Sequence, residues 1–254
     1  MKILLMLLAL SSAALAVDFK EQAFDNAHTL FRSATNAAMY AEAAAQYEHL
    51  IHEEGIRNGD LFYTTGNSWF MAGDLGRAIL NYRRAEHYLP RDKDVQYNLA
   101  AALQARADLI PEKDPHPFVA NFLGWHIGTS TAFRGWSFAL VWLVFWLAGS
   151  WSLRTDKKEA RITAGIAGVL SAALLLSLVV DGVARHRRNP GVITAPETLA
   201  RKGNGEMYSL AFMDPLHAGT EFHVLETRGD WLHVRLDDGQ RCWISAQAAE
   251  PVKL

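Results

Sequence analysis

The sequence predicts a multidomain membrane protein, with an all-α repeat solenoid, two transmembrane helices and a small C-terminal all-β barrel. Three observations predict it. Residues 136–153 and 162–180 carry no charged side chain, and each is close to the ~20 residues a helix needs to cross a ~30 Å hydrocarbon core. Residues 17–110 lack strand-like alternation and place Ala, Glu, Gln and Arg at helical spacing. From Val192 onward the apolar pattern changes to a period of two.

The totals leave room for several parts. The 254 residues allow one large domain or two to three small ones. A net charge of −2 offers no basic face of the kind nucleic acid demands. With Cys242 as the sole cysteine, neither an intramolecular disulfide nor a Cys-based metal site can form.

Met1, Lys2, an apolar stretch over 3–10 and Ala14-x-Ala16 read as a secretory signal peptide, residues 1–16. The alternative is an uncleaved anchor helix. Either one exports the residues that follow.

Residues 17–110 repeat themselves: Ala43 and Tyr47 recur as Ala78 and Tyr82, 35 residues on. A period near 34 with this content is the tetratricopeptide signature. Phe62, Gly66, Trp69, Ala78, Tyr82, Ala85 and Pro90 fall on its spacing. Gly66, Ala78 and Ala85 are small where paired helices approach most closely, Gly73-Asp74 makes the turn, and Pro90 ends the second helix. Thr65 stands where the motif usually has Leu, which weakens one core contact. The pattern gives about two and a half tetratricopeptide repeats, and the last helix is expected to cap a solenoid that buries little.

Pro111, Pro115 and Pro117 make a linker, and Phe118, Phe122, Trp125 and Ile127 suggest an interfacial segment, together residues 111–135. The transmembrane helices are expected at 136–153 and 162–181, with a charged loop at 154–161. Arg154, Lys157, Lys158 and Arg161 favour a cytoplasmic loop, but Arg185, Arg187 and Arg188 follow the second span. Charge alone is nearly balanced. The export signal therefore decides the expectation: an inner-membrane protein with both flanking parts in the periplasm.

Leu232, Val234 and Leu236 alternate with Trp231, His233 and Arg235, and turns are expected at Arg228-Gly-Asp230 and Asp237-Asp-Gly239. The layout Leu216-x-x-Gly219-Thr220, Val224-Leu225, Gly229-Asp-Trp231-x-x-Val234, Asp238-Gly239 and Trp243-Ile244 resembles bacterial SH3 domains over residues 190–254. Cys242 departs from it, since the family commonly has Gly before the Trp.

The order of the parts resembles the BatE-type proteins of bacterial aerotolerance (Bat) operons. This resemblance implies an inner-membrane protein working beside membrane-bound von Willebrand A-domain proteins and a MoxR-type ATPase. It does not imply a molecular activity.

No catalytic constellation stands out, so the chain reads as a non-enzyme without cofactor or metal. His49 and His52 lie three apart on a helix, but not in the HExxH order, and a helix surface explains them. Asp181, at the end of the second span, reads as an acid at the water boundary or as a proton carrier. Two binding surfaces are expected. Arg32, Tyr63, Asn67, Phe70 and Tyr97 would line a concave groove for a peptide, unless Phe70 and Tyr97 merely pack between repeats. Tyr208, Trp231 and Trp243 would form an aromatic groove for peptide or cell wall, unless Trp243 fills the core. A scaffold presenting two protein-binding modules is the leading expectation. An envelope sensor whose barrel binds peptidoglycan is the alternative.

Overall fold

The computed structural model describes residues 22–111, 125, 128–155, 157–187 and 189–253. The expected signal peptide, and residues 112–124 of the expected linker, lie outside them. The described helices are α1 (22–33), α2 (Ala37–His52), α3 (Gly59–Ala72), α4 (Leu75–Tyr88), α5 (Lys93–Gln104), α6 (Thr131–Arg154) and α7 (Lys158–Arg187). The strands are β1 (Pro190–Ile193), β2 (Glu197–Thr198), β3 (Leu216–His217), β4 (Glu221–Arg228), β5 (Trp231–Leu236), β6 (Arg241–Ser245) and β7 (Ala249–Pro251).

Local chemistry sets the ends of the first helices. The side chains of Asn36, Asn58, Asp74 and Asp92 each accept a hydrogen bond from a first-turn amide of α2, α3, α4 and α5. Gly73 closes α3 at φ 85°, a conformation that costs a residue with a Cβ. The expected small-residue contact forms: a Cβ on Gly66 would come within 2.7 Å of the Tyr82 ring. Thr65 is buried, and its hydroxyl donates to the Leu61 carbonyl at 2.7 Å, so the polar atom is satisfied within its own helix.

β1, β4, β5, β6 and β7 form an antiparallel sheet in the order β6-β5-β4-β1-β7, and β2 pairs with β3 in a separate ribbon. The hairpins turn where expected, at Gly229 (φ 52°) and Gly239 (φ 88°). Leu232, Val234, Leu236, Cys242 and Ile244 face a core shared with Ile193, Leu216 and Phe222. Cys242 is therefore a core residue, not a groove residue, and burial pushes its thiol up to about 12.

The expected fold class is not the one observed. The helices do not make a clear tetratricopeptide solenoid, and no independent all-β SH3-like barrel stands apart from them. Instead α1–α5 and the strands together form one α+β unit, described over residues 22–111 and 189–253. Val192 of β1 belongs to the same buried cluster as Ala44, Trp69, Ala78, Ile79 and Leu99, and Ile110 packs into the core of the sheet. The physical reason is the flank of α4, which so few helices cannot cover. The sheet shares with α5 the task of closing it.

Polar contacts seal the seam. Arg83 donates to both carboxylate oxygens of Glu221, at 2.7 and 3.1 Å, and Arg106 reaches the same carboxylate at 3.4 Å. Asp108 accepts from the His217 amide at 2.7 Å and from the Thr220 hydroxyl at 2.6 Å, and lies 2.8 Å from His217 Nδ1. Burial pushes the Asp108 carboxyl up, but the hydrogen bonds from Thr220 and His217 outweigh it and hold the group below its ordinary value.

The pH dependence follows with a definite sign. A carboxyl depressed in the folded state contributes stability above its unfolded value, and that contribution is lost as pH falls through the folded one. The Asp108 contribution is thus complete at neutral pH and disappears on acidification below about pH 4. Thermal melts of the wild type and Asp108→Asn should converge as the pH drops below that value. A constant gap between them at all pH values would remove Asp108 from the seam.

The second unit, residues 113–188, contains α6 and α7 packed on each other. Both are long and apolar enough to span a membrane. Trp136, Leu140, Leu143, Leu147, Ile166, Val169 and Leu176 are exposed around them, an apolar surface suited to lipid rather than water. The helices exceed the expected spans at both ends. Arg134, which lies just before the expected start of the first span, is buried inside the hairpin, where it bonds Ser177 at 2.6 Å and pairs with Asp181. Asp181 also accepts from the Thr131 hydroxyl at 3.4 Å. This interhelical pairing gives Asp181 a structural place across from α6.

Candidate functional site

The site follows from how α3, α4 and α5 stack. Asn67 lies on α3, Tyr82 on α4 and Asn98 on α5. Their side chains meet in one network. Asn67 Oδ1 accepts from the Tyr82 hydroxyl at 2.8 Å and from Asn98 Nδ2 at 2.9 Å, while Asn98 Nδ2 also donates to the Tyr63 hydroxyl at 2.9 Å. Burial pushes the Tyr82 phenol well up, with Tyr63 adding to the effect, so the hydroxyl stays a donor.

Above this network lies a groove of about 310 Å³, lined by Phe31, Asn67, Phe70, Met71, Tyr82, Asn98 and Ala101. The walls are apolar. Asn67 Nδ2 and Asn98 Oδ1, one donor group and one acceptor, have no hydrogen-bond partner among the described residues and are not sealed from solvent.

Of the five residues expected here, Asn67 and Phe70 line the groove and Tyr63 supports its polar network. Arg32 is exposed beside Phe31 and is not a lining residue. Tyr97 is 74% exposed and also lies off the lining, so it neither packs between helices nor faces the groove. Phe31, Met71, Tyr82, Asn98 and Ala101 were not anticipated as lining residues. Two had a signal: Met71 is one helical turn beyond Asn67, and Asn98 follows Tyr63 by the same 35 residues that separate Ala43 from Ala78.

The three sheet residues do not come together as an aromatic groove. Trp231 faces away from the core, in register with Arg228 and Ser245. Trp243 is 8% exposed, stacked on His233 at 4.8 Å with the Arg228 guanidinium 5.4 Å from its ring. Tyr208 is exposed and covers Gly203. No ring contact joins Tyr208, Trp231 and Trp243 among the described residues. His49 and His52 are both exposed on α2. Among the described residues no group of three or more His, Cys, Asp or Glu side chains could hold a metal ion.

Comparison of the chain with family models, curated proteins and solved structures gives no match. The likeness to BatE-type proteins and to SH3 domains thus rests on the quoted residues alone.

Proposed function

We propose that this chain is a membrane-anchored, non-enzymatic scaffold whose helical groove binds an extended polypeptide segment. The observation that carries the proposal is the paired Asn67 and Asn98 amides at the base of an apolar-walled groove. Their free donor and acceptor match the alternating C=O and N–H of a main chain, while Phe31, Phe70 and Met71 offer apolar seats for its side chains. Tyr63 and Tyr82 hold the two amides in place, so little ordering remains to be done on binding. The two long apolar helices anchor the unit in a membrane, and the N-terminal export signal directs the groove and the sheet to the periplasmic side of an inner membrane. The sequence likeness to BatE-type proteins supports von Willebrand A-domain proteins of the same membrane as the source of the bound segments, with a MoxR-type ATPase in the same system. Peptidoglycan binding through Tyr208, Trp231 and Trp243 finds less support, because Trp243 is engaged by His233 and Arg228.

A degenerate array of extended peptides, probed with the detergent-purified full chain, tests the groove. Asn67→Ala together with Asn98→Ala should weaken the bound sequences more than about tenfold, since two main-chain hydrogen bonds are lost. Binding that survives the double substitution, or an array with no bound peptide, contradicts the proposal.

A further inference from the structure

Glu48 is half-buried on α2, and its carboxyl has little to support a charge. Oε1 accepts from the buried Trp69 indole on α3 at 2.8 Å, a neutral donor. No other hydrogen bond reaches the carboxyl among the described residues. The cations around it are committed elsewhere. Arg77 on α4 lies over the Trp69 ring, 4.5 Å from its centroid, and pairs with Asp74 at 3.8 Å. Arg84 on the same helix is taken up by Glu250 and by the Pro251 and Val252 carbonyls. Glu250 on β7 adds a like charge, and His52, one turn along α2, adds an opposite one when it is protonated.

Burial outweighs the indole bond and Arg77, so the Glu48 carboxyl lies above its ordinary value. A group raised in this way stabilises the folded state below its unfolded value of about 4.3, and that contribution is lost as pH rises through the folded one. The sign is opposite to that of Asp108. The place of Glu48 in the fold gives the sign a consequence. Near its start α2 carries Tyr40, whose ring meets Phe31 edge-on at 5.6 Å, and Phe31 is the groove-wall residue that α1 supplies. Glu48 therefore stands on the helix that backs this wall, at its contact with α3, which carries Asn67 and Phe70.

We infer that Glu48 makes the groove pH-sensitive, its proton holding the α1–α2 wall against α3 and its ionisation letting that wall open. Any opening that lifts α2 from α3 hydrates the carboxyl, and water favours the charged form. Opening is thus easier the more ionised Glu48 is. By linkage, a segment that needs the closed wall binds more tightly at lower pH. The inference rests on the groove as the binding site and names its regulation.

The test uses the full chain in detergent. Hydrogen exchange in α1 and α2 is compared between wild type and Glu48→Gln at matched pH, so that intrinsic rates cancel. Glutamine keeps an oxygen for the indole and cannot ionise. At about pH 8 the variant should exchange about threefold more slowly in both helices, and the gap should shrink towards about pH 5. A gap of constant size over that range, or none, overturns the inference. The peptide bound most strongly in the array, chosen without Asp, Glu or His, supplies the second arm. It should bind wild type at least about twofold more tightly at about pH 5.5 than at about pH 7.5, and bind Glu48→Gln equally at both. His28 on α1, 3.3 Å from the Tyr47 hydroxyl, is left in place by the substitution. A pH dependence that persists in Glu48→Gln therefore assigns the effect to His28 or another group and overturns the inference. An array that yields no peptide, with the exchange gap still following pH, overturns the groove reading and leaves the Glu48 switch standing.

Discussion

Gly76→Ala should destabilise the protein by about 2 kcal/mol, and Gly76→Val by about 3 kcal/mol. The sign is the informative part. Gly76 sits in the first turn of α4, where a glycine normally costs ~1 kcal/mol relative to alanine, so replacing it in a free-standing helix would stabilise. Here a Cβ would come within 2.6 Å of the Ile193 carbonyl oxygen and 2.9 Å of Thr194 Cα. Both are backbone atoms and cannot swing aside, so α4 and β1 would have to part. Denaturant melts of the detergent-solubilised chain read the change. A gain in stability for Gly76→Ala would mean that helix and sheet do not touch there.

The second large effect is expected at Arg84, which is 3% exposed on α4. Its guanidinium donates to Glu250 Oε2 at 3.2 Å, to the Pro251 carbonyl at 3.0 Å and to the Val252 carbonyl at 3.3 Å. Burial pulls the guanidinium down from its ordinary value, and Glu250 opposes that pull. Arg84→Ala removes the donor from all three acceptors at once. Glu250 is partly exposed and can recover some water, so the loss should fall below that of a fully sealed pair, at about 2–3 kcal/mol. Arg84→Lys should recover little, because one ammonium cannot span three acceptors in the plane of a guanidinium fork. A loss within ~0.5 kcal/mol of zero for Arg84→Ala would mean the contact contributes nothing.

Both residues also show where the sequence was legible and where it was not. The turn between α3 and α4 could be read from Gly73-Asp74, the end of α4 from Pro90, and hairpin turns from Gly229 and Gly239, because helix-end and turn chemistry are local. Part of the groove could be read for a similar reason. Asn67 and Phe70 lie on one helical face, and Tyr63 and Asn98 are one repeat apart. The seam between helices and sheet has no local signal. Arg83 and Glu221 are 138 residues apart, and Arg84 and Glu250 are 166 apart. Charged residues on an otherwise amphipathic helix read as a solvated face. Gly76, beside the better motif position at Ala78, carries no pattern at all. The independence of the two parts was therefore the natural expectation, and the seam overturned it.

The same seam bears on the groove. α4 supplies Tyr82 to the groove network from one side and Arg83 and Arg84 to the sheet from the other. A helix held on both sides keeps the Asn67–Asn98 pair in register without waiting for a ligand. The scaffold reading thus rests on one rigid α+β unit rather than on two modules that happen to lie in one chain.

Hydrogen exchange followed by mass spectrometry, on the detergent-solubilised chain across a denaturant series, tests that unit most directly. Peptides from α4 and from β5 should lose protection at one common denaturant concentration, and Gly76→Val should shift both midpoints together. Loss of protection in β5 while α4 stays protected, or the reverse, would contradict it.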